Sequence, residues 1–169
     1  MNRRQSIITG ISAITAGSAL TTTANAADTK PDKPELEKIK AVLKAHDDAM
    51  TSHNMEGVLA VLAPKAVIIG TGPGEVWSTP EEIKDAYTHF FADYDKGEQD
   101  FTYHVRFGEL SSEMGWLVVS GEVKGKKDKK PFAFPMNISL TVSKAGGDWK
   151  IAAMHFSTLT SEKPEKKEK

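Results

Sequence analysis

The chain has 169 residues, no cysteine, a formal net charge of −1, 39% hydrophobic residues and 27% charged ones. That length suits one domain, and the absent cysteines exclude a disulfide scaffold, a thiolate nucleophile, cysteine-bound zinc, iron–sulfur clusters and a lipoprotein anchor. The near-neutral charge excludes nucleic-acid binding by cationic excess.

Met1–Ala26 carries two cations, Arg3 and Arg4, and no acid. An apolar stretch from Ile7 to Leu20 follows, diluted by Gly, Ser and Thr, and Ala24-Asn25-Ala26 closes it with small residues. These are the three parts of an export signal with its cleavage site. The apolar run is too short for a stable membrane anchor, since a span needs about 20 residues. Arg3-Arg4 also fits a twin-arginine signal, although Ser6 stands where that signal usually has Phe, so both export routes stay open. The expectation is an exported protein, periplasmic or secreted, of 143 residues at net charge −3, with Arg106 as its one arginine. Multi-arginine clamps for phosphate or carboxylate are then excluded. No cofactor is expected.

Residues 27–33 read as a polar lead-in, 34–160 as one domain, and 161–169 as a disordered charged tail. From Pro34, the spacing of Leu36, Ile39, Leu43, His46, Met50 and His53 predicts an amphipathic helix with one apolar stripe. Asn54 caps a short second helix that ends before Pro64. Ala66–Ile69 reads as a strand, Gly70–Gly74 as a turn, and Glu75-Val76-Trp77 as extended chain. Thr79-Pro80-Glu81-Glu82 is a capping box that starts a third helix, with Ile83, Ala86, Tyr87, Phe90 and Phe91 on its buried side.

The remainder predicts four long antiparallel strands, joined at Ser112-Glu113, at the lysine run Lys124–Lys130, and at Gly146-Gly147. A two-residue Gly146-Gly147 loop pairs Val142 with Ile151, Leu140 with Ala153, Ile138 with His155 and Met136 with Ser157. That register puts His155 and Ser157 on the helix-facing side, and Asn137, Ser139, Met154 and Phe156 on the other. A turn at Ser112-Glu113 sets Glu122 opposite Tyr103. It leaves His104 and Arg106 on the face opposite Phe101, Tyr103, Val105 and Phe107.

With helices, a strand pair and a four-strand meander in that order, the chain resembles the SnoaL-like branch of the nuclear transport factor 2-like superfamily. The residues that carry the resemblance are Gly70–Trp77 before a capped helix, Pro135–Ser139, Gly147–Ile151 and Met154–Ser157. It covers about Leu36 to Thr160. It implies an α+β fold in which a curved, mostly antiparallel sheet wraps about three N-terminal helices into a cone with a pocket at its open end. Relatives use that cone as an isomerase, cyclase or dehydratase site, as a ligand pocket, or as a dimerisation platform. Gly72 and Asn137 depart from the Asp and Arg that family members often carry there.

Three functions follow as expectations. The first is binding of a small, largely apolar molecule in the cone, with Trp77, Tyr103, Trp116, Met136, His155 and Ser157 as contacts. The second is acid–base catalysis of isomerase or dehydratase type, with His155 or His46 moving the proton, because imidazole titrates near neutral pH. The third is an assembly module, and a homodimer is expected through the outer sheet face at Met154, Phe156, Asn137 and Ser139. Asp47 and Asp48, about 100° and 200° around the helix from His46, read as solvated. So do the lysines of Lys124–Lys130. No metal site is expected, since no HExxH or HxH spacing occurs.

Overall fold

The computed structural model describes residues 33–158. The expected export signal, most of the lead-in and the charged tail lie outside the described residues. Within them run helix α1 (Lys33–Thr51), helix α2 (Met55–Val61), strands β1 (Leu62–Ile69) and β2 (Val76–Trp77), and helix α3 (Pro80–Ala92). Strands β3 (Asp100–Leu110), β4 (Met114–Lys127), β5 (Lys130–Ala145) and β6 (Asp148–Thr158) complete the order.

Local chemistry explains the helix ends. The Asn54 side chain accepts from the Gly57 N–H at 3.1 Å and starts α2. Thr79 and Glu82 close the reciprocal capping box at the start of α3, with Pro80 in its first turn. The first turn of α1 is anchored from outside. The Trp149 indole N–H donates to Glu35 at 2.6 Å, and Lys144 pairs with the same carboxylate at 3.0 Å.

The six strands form one mixed sheet in the order β2-β1-β6-β5-β4-β3, α+β in class and not closed into a barrel. Only the β1–β6 pairing is parallel. The helices lie on one face. Ile39 and Ala49 of α1, Val58 of α2, and Ile83 and Tyr87 of α3 pack there with Ile68, Val142, Ile151 and Met154 of the sheet. This is the inner face, and the opposite one is the outer face.

Two inserted residues decide which side chains point inward. The β5–β6 hairpin follows the expected register from Ala145↔Asp148 to Val142↔Ile151, and then Thr141 pairs with Ala153. Ala152 is a bulge, and one extra residue turns every later side chain to the opposite face. Leu140 therefore pairs with Met154, Ser139 with His155, Ile138 with Phe156 and Asn137 with Ser157. This corrects the expected register: Met154 and Phe156 point inward, and His155 and Ser157 point outward.

Strand β3 repeats the device. It matches β4 as expected from Leu110↔Gly115 to Val105↔Ser120, but Tyr103 then pairs with Gly121, leaving His104 as the inserted residue. Glu122 consequently lies opposite Thr102 rather than Tyr103, and its carboxylate meets Lys124 at 3.2 Å. Phe101, Tyr103 and Arg106 share the inner side, while Val105 and Phe107 share the outer one. The expected single face for Phe101, Tyr103, Val105 and Phe107 is thus split in two.

The lysine run is mostly strand. Only Asp128 and Lys129 form its turn, both with positive φ (51° and 65°), the mirror-image turn geometry that suits tight hairpins.

Candidate functional site

On the inner face a cavity of about 50 Å³ lies between α1 and the sheet. Its apolar walls include Leu43, Leu117, Val119, Leu140, Ile151 and Met154, and its polar ones are His46, Asp47 and Tyr103. Local structure explains how three of these side chains reach the cavity. The α1 stripe carries His46 inward, where it is only 4% exposed. The His104 bulge aims Tyr103 inward, and the Ala152 bulge supplies Met154.

His46 is the one buried polar residue among the described residues. Its Nε2 shares a 2.8 Å hydrogen bond with the Tyr87 hydroxyl of α3, behind the cavity. Its Nδ1 lies 3.6 Å from a carboxylate oxygen of Asp47. That separation is too long for a hydrogen bond, and the Asp47 carboxylate is largely exposed. A hydroxyl can donate or accept, so Tyr87 supports either tautomer of His46. Nδ1 can therefore serve as a donor or as a base. Burial raises the Tyr87 pKa above the usual phenol value, helped by the Asp47 charge. Tyr103 is shifted the same way, again by burial first and Asp47 second. Both phenols stay protonated at neutral pH and act as neutral hydrogen-bonding groups.

The outer face carries a larger, open depression of about 360 Å³. Val67, Ile69, Trp116, Val118, Thr141 and His155 are among its lining residues.

The sequence-derived residues therefore divide between two sites. His46 and Tyr103 meet at the inner cavity, whereas Trp116 and His155 lie together outside. Met136 is buried on the inner side opposite Gly121, away from the cavity lining. Trp77 packs at the margin of the core. Ser157 points outward, and its hydroxyl accepts from the Asn137 amide at 3.5 Å. Asp47 was expected to be solvated. It is exposed, yet its short side chain reaches the cavity rim. Tyr87 was legible only as a buried helix residue, and its pairing with His46 joins two helices far apart in sequence. Among the described residues, no group of three or more His, Asp or Glu side chains could hold a metal ion.

The family of SnoaL-like domains matches residues 39–161. No curated protein sequence matches the chain. Among solved structures, one from Xanthomonas campestris, ascribed to the calcium/calmodulin-dependent protein kinase II association domain, is 18% identical with a TM-score of 0.64, covering 75% of this chain and 89% of that one. An NTF2-like protein of unknown function from Pseudomonas putida is 11% identical with a TM-score of 0.63, covering 77% and 89%. A ketosteroid isomerase-like protein from Erwinia carotovora atroseptica is 17% identical with a TM-score of 0.59, covering 76% and 99%. At these identities the likeness is one of fold.

Proposed function

The chain belongs to the SnoaL-like domain family, and on that premise we propose that its inner cavity binds a small, largely apolar molecule. The observation that carries this is His46, a buried imidazole at the edge of an apolar cavity and held from behind by Tyr87. Mostly apolar walls with a few convergent polar groups are what ligand sites generally offer. Native mass spectrometry of protein purified from its own host tests the reading. A retained small-molecule mass that Tyr103→Ala removes supports it. Identical apo masses for both proteins, with no thermal shift across a panel of apolar compounds, contradict it.

Acid–base catalysis is the second reading, favoured by the Asp47 carboxylate 3.6 Å from His46 Nδ1. His46 would take a proton at Nδ1, Asp47 would stabilise the imidazolium, and Tyr103 would donate to developing negative charge. This transfers the catalytic role expected of His155 or His46 to His46 alone, because His155 lies on the other face. Asp47→Asn should then lower kcat more than it changes KM. An unchanged kcat would exclude that role for Asp47, and an unchanged kcat in His46→Ala would exclude proton transfer at His46.

The outer face fits a second copy of the chain. Phe107 is 66% exposed, Met114 56%, Val105 48%, Trp116 44% and Val118 40%. Together they offer several hundred Å² of apolar side chain, against about 300–600 Å² for the largest patch of a typical monomer. Asn137 and Ser139 belong to this surface as expected, whereas Met154 and Phe156 do not. Phe107→Asp should turn a dimer into a monomer in light scattering. A ring-sized oligomer would instead favour the assembly-module reading. Export completes the proposal, and the mature mass beginning at Ala27 would support it.

A further inference from the structure

The inner cavity, at about 50 Å³, is far smaller than the roughly 300–1,000 Å³ that usual ligands occupy. A ligand site there needs a part that moves. We propose that the segment from Asp93 to Glu98 is a latch whose release opens the inner cavity; the proposal rests on the reading of that cavity as a ligand site.

The segment bridges the two layers of the fold. At one side, the Gly97 N–H donates to the Thr51 carbonyl at 2.8 Å, at the end of the helix that carries His46 and Asp47. Gly97 has φ +81°, a conformation only glycine adopts readily. At the other side the segment grips the β4–β5 turn. The Asp95 N–H donates to the Lys126 carbonyl at 2.7 Å. The Asp95 carboxylate accepts from the backbone N–H of Asp128 at 2.9 Å and of Lys129 at 2.7 Å. Asp93 pairs with Lys127, and Glu98 pairs with Lys126 at 2.8 Å. The lysine run, read from sequence as merely solvated, is half of this clasp.

Rings fill the space beneath. Tyr94 meets Phe90 at 5.5 Å and Phe132 at 5.1 Å, and Phe90 meets Phe156 at 6.3 Å. These four rings are all only partly buried. They slide more easily than interlocked backbones, because ring contacts tolerate several geometries. Beyond Glu98 the chain runs directly into β3. There Phe101 packs against Tyr103 at 4.9 Å, and Tyr103 is a wall of the cavity. Lifting the segment would therefore draw on Tyr103 and widen the cavity beside His46.

The bonds suit a latch rather than a rivet. Exposed ion pairs contribute little each. The two charge-assisted bonds to Asp95 are stronger and converge on one side chain. Loop opening of this kind occurs on microsecond to millisecond timescales.

Carbethoxylation of His46 by diethyl pyrocarbonate, read by peptide mass spectrometry, reports access to the cavity directly. Asp95→Ala should label His46 severalfold faster than the wild type, in urea well below the unfolding transition, while the exposed His89 on α3 reacts at an unchanged rate. Glu35→Ala, which loosens the opposite end of α1, should leave the His46 rate unchanged. Glu98→Cys with Lys126→Cys, bridged by a short thiol cross-linker, should label more slowly than the unbridged form; the chain has no other cysteine. Equal rates in bridged and unbridged protein would overturn the latch. So would an acceleration by Glu35→Ala as large as that by Asp95→Ala, or no His46 labelling in any form. Because this readout uses no ligand, a failed latch leaves the binding reading intact, and a failed ligand search leaves the latch intact.

Discussion

The two faces of the sheet are both apolar, yet only one is covered. Val118 and Val119 are neighbours in β4, one 40% exposed on the outer face and the other 3% exposed beneath the helices. The inner face spends its apolar surface on the core and keeps a small cavity beside His46. The outer face keeps its apolar surface bare mainly on β3 and β4, at Val105, Phe107, Met114, Trp116 and Val118. Composition alone does not separate core from interface; the difference lies in what the helices shield.

Paired substitutions on the two faces test this contrast. Val119→Ala should destabilise by about 1.5–3 kcal/mol through lost burial and a residual cavity. Val118→Ala should stay within about 0.5 kcal/mol. Urea unfolding at low protein concentration checks both, and equal costs would mean that the outer face is covered within one chain. Tyr87→Phe removes the partner of His46 Nε2 and should cost about 1–3 kcal/mol, as expected for a buried polar atom left unpaired. Thermal unfolding shows it, and His46→Leu combined with Tyr87→Phe should recover part of the loss. Phe107→Asp should change assembly while leaving the monomer's stability within about 0.5 kcal/mol.

The smallest effect expected is at Glu35, in the first turn of α1. Its carboxyl is held at about 2, below its ordinary 4.5, first by Lys38, then by Trp149 and Lys144. The fold favours the charged form, so this contribution is complete above pH 4.5 and is lost as pH falls toward 2. Glu35→Gln should flatten the acid limb of a stability–pH curve across that window and leave neutral pH less affected than either core variant.

The helices and the β4–β5 pairing were legible because their signals are local. A capping box, an apolar stripe and strict alternation each specify their own geometry. Bulges are different, and the two here left unequal traces. In β6 the apolar positions run Trp149, Ile151, then Met154, Phe156, so the parity changes at Ala152-Ala153. The bulge sits at that change. In β3, Phe101, Tyr103, Val105 and Phe107 keep one parity straight through the inserted His104. No pattern could mark it, because both faces there are apolar. His155 faces outward because the register passes through the inserted Ala152. Asp47 was missed for another reason: an angle around a helix axis does not measure how far a side chain reaches at a cavity rim.

Native mass spectrometry of protein from its own host, run on the wild type, Phe107→Asp and Tyr103→Ala, tests most directly the claim that the two faces do different work. The expected result is a dimer with a retained small molecule for the wild type, a monomer that keeps it for Phe107→Asp, and an empty dimer for Tyr103→Ala. Loss of the molecule in Phe107→Asp, with retention in Tyr103→Ala, would place the ligand on the outer face and contradict it.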